Sequence, residues 1–203
     1  MSTLVWFAVI LITITSVGLL LARDWRWLII FLAAQYFGML ILILQHWPMG
    51  MASVKVVAGW MSSAILGMTR SGLPREDRTE RHDILPRGRL FRLFASGIVV
   101  LIVATATPRV DAVMADAGFA VTTGALLLVG MGLLHLGVTD HILRVTIGLM
   151  TVLAGFEILY ATVEGSILVA ALLAVINLGL ALVGAYLLIA SNAEPEQEET
   201  EAL

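Results

Sequence analysis

The chain has 203 residues, of which 60% are hydrophobic and 13% are charged, and its mean hydropathy is +0.98. Because a soluble globular domain carries about 25% charged residues, this composition excludes such a domain and indicates an integral membrane protein. The sequence contains no cysteine, which excludes disulfides, thiolate nucleophiles, iron–sulfur clusters and Cys-ligated zinc. It also lacks a Gly-rich phosphate loop, a nucleophile elbow and a metal-ligand motif, so catalysis of the soluble type is not expected.

The apolar segments predict an all-α fold with about seven transmembrane helices. A helix needs roughly 20 apolar residues to cross a hydrocarbon core of about 30 Å. The polar and apolar alternation that is typical of barrel strands is not present. The predicted spans are residues 4–22, 27–45, 51–68, 91–107, 118–138, 142–162 and 166–189. The third and fourth spans are short, and their ends are the least sharply defined.

The basic residues predict how these helices are oriented. When the seven spans alternate, 10 of the 12 Lys and Arg residues fall on one side. They lie at Arg23 and Arg26, in residues 69–92 and at Arg144. The positive-inside rule makes that side cytoplasmic, which places the N-terminus outside and the C-terminus in the cytoplasm.

Charge also divides the chain into parts. Residues 1–68 form a predicted three-helix N-terminal part, and residues 93–189 form a four-helix C-terminal part. Residues 69–92 hold seven Arg interspersed with acids and predict a solvated cytoplasmic linker, which either docks a partner or anionic lipid or only sets the topology. Residues 190–203 hold five Glu and no base and predict a disordered acidic tail.

Two charged residues inside the predicted spans are candidates for an ion relay. Glu157 lies seven residues before Glu164, on the order of 10 Å deep at 1.5 Å per residue. An ionised carboxylate at that depth must be neutral, paired or hydrated. Lys55 lies on the same side of the membrane and predicts a Lys–Glu pair, the usual unit of a buried proton relay. The alternatives are a protonated Glu157 bonded to a neighbouring helix, and a Lys55 that snorkels to the headgroups.

Other polar residues in the spans have weaker predicted roles. His135, near the cytoplasmic end of the fifth span, either passes protons inward or caps a helix end. His46 lies on the opposite side of the membrane, so a haem shared with His135 or His141 is disfavoured. Gln35 and Asn177, both in mid-span, are predicted to form hydrogen bonds between helices.

Two segments of the C-terminal part resemble a known protein. Residues 141–150, HILRVTIGLM, resemble the start of the second helix in the K (4L type) subunit of respiratory complex I, and residues 174–181, AVINLGLA, resemble its third helix. The complete chain is similar in length and layout to the hydrogenase-4 component E family. In that family a Lys stands near the start of the third span, and Lys55 in SVKVV matches it.

The chain departs from this resemblance at two positions. Where the K subunit carries its membrane glutamates, this chain has Met150 and Val175. Glu157 follows Met150 by seven residues, which returns to nearly the same face of a helix. A shifted carboxylate could therefore keep a relay, although the proton path of the K subunit cannot be carried over intact.

The resemblance implies a non-catalytic accessory subunit, without cofactor or metal, in the membrane arm of a complex-I-like or hydrogenase-4-like complex. The implied partners are larger antiporter-like membrane subunits, other membrane-arm subunits and lipid, with no nucleic acid. The implied location is the cytoplasmic membrane of a bacterium or archaeon. The implied role is proton or sodium translocation coupled to redox chemistry in other subunits. The alternatives are a non-conducting structural subunit of another bioenergetic complex and an autonomous small transporter.

Overall fold

The computed structural model describes residues 2–73, 88–114 and 117–201. The described part is helical, and its elements are α1 Ser2–Leu21, α2 Trp25–Ile43, α3 Met49–Gly72, α4 Arg89–Val113, α5 Phe119–Gly137, α6 Ile142–Val163 and α7 Ile167–Glu201. Each of the seven contains a segment long and apolar enough to cross a membrane. The predicted number of spans and the all-α fold class are therefore confirmed for the described residues.

Three helices extend beyond their predicted ends. α3 and α4 have 24 and 25 residues, because helical backbone continues through polar residues that hydropathy excludes from a span. α7 continues to Glu201, where the sequence predicted a disordered tail from residue 190. The apolar segment of α7 ends at Asn192, and the sequence beyond it is rich in Glu and contains Pro195. Most of the predicted Arg-rich linker, residues 74–87, lies outside the described residues.

The connections within α1–α3 and within α4–α7 have at most five residues, so successive helices in each group run antiparallel and the bundle has two distinct ends. At the Trp47 end, where α2 meets α3 and α6 meets α7, Trp47 Nε1 donates to the Glu164 carbonyl oxygen over 3.0 Å. At the arginine end, where α1 meets α2 and α5 meets α6, Arg92 and Arg144 donate to carbonyl oxygens at the end of α1. These bonds tie the ends of α1, α4 and α6 and the connection after α2 to their neighbours.

The apolar core lies where α1, α2, α5 and α6 meet. Residues from all four helices are fully buried there, namely Ala8, Ile12, Leu32, Leu42, Ala125, Leu128, Ile147 and Met150. Glycines allow close approach of α5 and α6, since a Cβ on Gly155 would stand 2.7 Å from the Ala125 carbonyl oxygen. Small residues at helix contacts are typical of membrane bundles.

The two predicted parts of the chain are interleaved in one bundle. α1 packs against α5, and α3 packs against both α2 and α7. α4 lies on the outside, with 17% of its span buried. The N-terminal α3 and the C-terminal α6 and α7 therefore surround a common interior, and that interior holds the charged residues.

Candidate functional site

Lys55 of α3 and Glu157 of α6 form an ion pair inside the bundle. Lys55 Nζ lies 2.7 Å from Glu157 Oε1, and each side chain is 1% exposed. The structure therefore contains the pair that the sequence offered as one option. The snorkelling interpretation of Lys55 is wrong, because its ammonium group ends in the interior rather than at the surface.

The two residues meet because their helices place them at the same depth. Lys55 is six residues after Met49, the first residue of α3, and Glu157 is six residues before Val163, the last of α6. Both helix ends lie at the Trp47 end, so each side chain starts about 9 Å into the bundle at 1.5 Å per residue. An unpaired charge at this depth is costly, whereas a paired and hydrogen-bonded one is tolerated.

A second polar group lies about one turn deeper. Tyr36 Oη of α2 donates to Asn177 Oδ1 of α7 over 2.9 Å, and Ser62 Oγ of α3 donates to the Asn177 carbonyl oxygen over 3.3 Å. Asn177 thus makes the interhelical hydrogen bond that the sequence predicted. Gly59 permits the arrangement, because a Cβ on it would collide with the Tyr36 ring.

Tyr36 and Ser62 were not identified from the sequence as parts of this site. The available indication was the Tyr36 hydroxyl itself, since a buried Tyr usually finds a hydrogen-bond partner. Tyr36 also lies within electrostatic range of Glu157. The polar interior therefore draws on four helices: α2, α3, α6 and α7.

Three further polar atoms are buried at this depth without a protein partner. Among the described residues, neither Glu157 Oε2 nor the amide oxygen and nitrogen of Gln35 accepts or donates a hydrogen bond. Gln35 is 1% exposed, so it faces the interior, but the predicted bond to a neighbouring helix is not formed with any described residue. Buried polar atoms of this kind usually bind ordered water.

His135 lies far from the ion pair along the bundle. It is 16 residues after Phe119, about 24 Å from the Trp47 end at 1.5 Å per residue, whereas Lys55 and Glu157 are about 9 Å from that end. His135 is 4% exposed, and its charged neighbours are Arg92 and Arg144 at the arginine end. The structure thus brings together two of the three predicted relay residues.

Two of the other histidines lie at opposite ends of the bundle. His46 lies at the Trp47 end after α2, and His141 precedes α6 at the arginine end. In residues 2–73, 88–114 and 117–201, no group of three or more His, Asp or Glu side chains is placed to hold a metal ion.

The two positions that carry glutamates in the K subunit have different surroundings here. Met150 is fully buried in the core, whereas Val175 is 64% exposed on the outer face of α7. Glu157 is buried on the same face of α6 as Met150, as the seven-residue spacing predicted. Among the described residues, Glu157 is the carboxylate that is buried inside the bundle.

The pair has the chemistry of a proton donor and acceptor held in contact. The charge of each member depends on that of the other, and Glu157 Oε2 remains available to a second donor. Comparisons of the chain with protein-family models, with curated proteins and with solved structures found no match.

Proposed function

We propose that this protein is an accessory membrane-arm subunit of a complex-I-like or hydrogenase-4-like complex, in which Lys55 and Glu157 take part in proton or sodium translocation driven by redox chemistry in other subunits. The observation that carries the proposal is the ion pair, 2.7 Å long and 1% exposed on both sides. Ionisable residues inside transmembrane segments are rare, and they mark ion pathways, proton relays and similar functional sites.

The surroundings of the pair support a relay. The Tyr36–Asn177 hydrogen bond continues the polar interior about one turn toward the middle of the bundle. The unpartnered Glu157 Oε2 and the Gln35 amide supply further groups that can bind water. Water bound to these groups would form a chain of hydrogen bonds. A proton can pass along such a chain without a large movement of any side chain.

The charge distribution supports the orientation. Basic residues of the described part gather at the arginine end, namely Arg23, Arg26, Arg70, Arg89, Arg92 and Arg144. Arg109 lies near the opposite end of α4. By the positive-inside rule the arginine end is cytoplasmic in a bacterial or archaeal membrane, and the pair belongs to the outer half of the bilayer.

The partners follow from the resemblance of residues 141–150 and 174–181 to the K subunit, and of Lys55 to the hydrogenase-4 component E family. A subunit of this kind packs beside larger antiporter-like subunits. Purification of the tagged chain from its native membrane under mild detergent tests this directly, because we expect a large antiporter-like membrane protein to accompany it. Recovery of the chain alone, or transport of ions by the purified chain in liposomes, would contradict the subunit assignment.

The second candidate is a non-conducting structural subunit. The burial of the pair favours this candidate, because a salt bridge whose two side chains are each 1% exposed also links α3 to α6.

Measurements on the assembled complex distinguish the two candidate functions. For a relay, Glu157→Gln complexes that still assemble should lose most ion translocation, and so should the double variant Lys55→Met and Glu157→Gln, which leaves no buried charge without its partner. The matched control is Glu164→Gln, seven residues further on, at the exposed end of α6, which should retain full translocation. Normal translocation by the Glu157→Gln complex would favour the structural subunit.

A further inference from the structure

A groove opens at the arginine end between α2 and α4, both of which pack on α1. Its volume is about 380 Å³, and it is lined by Gly18, Leu21, Ala22, Trp27, Phe31, Arg89, Leu90 and Leu93. One wall is aromatic, since the rings of Trp27 and Phe31 lie 5.8 Å apart. The floor is close-packed, because a Cβ on Gly18 would stand 2.8 Å from the Phe31 ring.

The groove is charged at its mouth and apolar below. α4 begins at Arg89, and the lining of that helix runs from Arg89 to Leu93, one turn or about 6 Å along the axis. Arg89 is thus the outermost residue of this wall. Within the part of the chain that the structure describes, its guanidinium forms no ion pair and no hydrogen bond.

The groove also has a fixed shape. Arg92, one turn after Arg89, donates Nη1 to the Leu20 carbonyl oxygen over 2.9 Å. This bond holds the start of α4 against the end of α1, so that the charged mouth stays above the apolar lining. The level of the groove is that of the headgroups, since α1 ends, and α2 and α4 begin, at the same end of the bundle.

This order of charge and apolar surface matches an amphiphile whose anionic group is at the membrane surface. A guanidinium binds phosphate through paired, charge-assisted hydrogen bonds, and an acyl chain is narrow enough for a cleft lined along one helical turn. A helix from another subunit is about 10–12 Å across and would need a longer and wider wall. Trp27 stands where the aromatic residues of membrane proteins meet the headgroups.

We propose that this groove is a binding site for an anionic phospholipid, with the phosphodiester headgroup on Arg89 and an acyl chain against Trp27, Phe31 and Leu93. The site depends on the membrane location of the chain and not on the ion-relay function. It is separate from the Lys55–Glu157 pair, which lies toward the opposite end of the bundle.

The exposed indole of Trp27 provides the test. The full chain is reconstituted in phosphatidylcholine vesicles that contain increasing fractions of phosphatidylglycerol with brominated acyl chains, which quench tryptophan fluorescence on contact. The chain contains five Trp, so the contribution of Trp27 is the difference from a Trp27→Phe variant. We expect this contribution to be quenched at a several-fold lower fraction of brominated phosphatidylglycerol than of brominated phosphatidylcholine.

The decisive variant is Arg89→Ala, and its matched control is Arg109→Ala near the other end of the same helix. Arg89→Ala should reduce the preference for phosphatidylglycerol by about fivefold, corresponding to roughly 1 kcal/mol for one basic residue at an anionic surface. Arg109→Ala should leave it unchanged. Arg89 is exposed, so its removal should not disturb folding.

Four results would overturn the proposal. The first is equal quenching of Trp27 by both lipids in the unmodified chain, and the second is an unchanged preference for phosphatidylglycerol in Arg89→Ala. The third is that no brominated lipid quenches Trp27, which would mean that protein fills the groove. The fourth is a preference that Arg109→Ala reduces as much as Arg89→Ala does, which would assign it to the general surface charge of the chain.

Discussion

Removal of one member of the Lys55–Glu157 pair should be far more damaging than removal of both. In Glu157→Gln the ammonium group of Lys55 stays 1% exposed and loses the carboxylate 2.7 Å away. In Lys55→Met the carboxylate is left instead, with an apolar side chain of similar length opposite it. Breaking a buried pair from one side costs about 3–5 kcal/mol, because an uncompensated charge remains. Replacement of both partners by well-packed hydrophobic residues of similar volume is often neutral or stabilising, and the double variant Lys55→Met and Glu157→Gln likewise leaves no charge unpaired.

A double-mutant cycle measures this difference. The free energy of unfolding is determined in detergent for the unmodified chain, for each single variant and for the double variant, with helical circular dichroism followed through a denaturant titration. We expect the double variant to be at least as stable as either single variant, with an interaction energy of about 3 kcal/mol or more. Additive effects within about 0.5 kcal/mol, as independent sites show, would refute the buried pair.

Two further predictions concern packing around the site. Asn177→Leu should lower the stability by about 1–3 kcal/mol, because the buried Tyr36 hydroxyl loses its acceptor. Tyr36→Phe leaves the buried Asn177 Oδ1 without its donor and should cost a similar amount in the same denaturant titration, so an unchanged stability in both variants would contradict the 2.9 Å hydrogen bond. Gly155→Ala should destabilise by about 1–3 kcal/mol through overpacking against the Ala125 carbonyl oxygen. Gly179→Ala, with no atom within 4 Å of the new Cβ, should be neutral or stabilising, so similar melting temperatures for the two glycine variants would show that α5 and α6 are not in close contact.

The fold was largely predictable because each membrane span is visible in the sequence as a long apolar segment. A helix in lipid must satisfy its backbone hydrogen bonds internally, so apolar length alone identified seven helices. The ends of α3 and α4 were less predictable, since hydropathy marks where apolar residues stop and not where helical hydrogen bonds stop. The same limit applies to α7, which continues as a helix past Asn192 into a segment rich in Glu.

The sequence predicted the depth of Lys55 and Glu157 in the membrane, but it did not determine whether the two side chains are in contact. Counting residues from the helix ends placed Lys55 and Glu157 in the same part of the bundle. Whether α3 and α6 approach each other there depends on long-range packing, through α2 and α7, that no local pattern encodes. For this reason the sequence left pairing and snorkelling open, and the structure decides in favour of pairing.

For Tyr36 and Gln35, residue type was a poor guide to the contacts that the side chain makes. Tyr36 resembles an ordinary core aromatic in the sequence, because its partner Asn177 is 141 residues away. Gln35 was expected to bond to a helix and is buried without a described partner. His135 was predicted near the cytoplasmic end of the fifth span, where it either passes protons inward or caps a helix end, and it lies at the arginine end beside Arg92 and Arg144.

The most direct test of the central claim follows the protonation of Glu157 during turnover. Infrared difference spectra of the assembled complex, recorded on switching from the oxidised to the reduced state, report the carbonyl stretch of any carboxyl group that gains or loses a proton. The account predicts a carboxyl band that is present in the native complex, unchanged in Glu164→Gln and absent in Glu157→Gln. Identical spectra from the native and Glu157→Gln complexes would show that Glu157 keeps one protonation state throughout, and the pair would then serve only to hold α3 against α6.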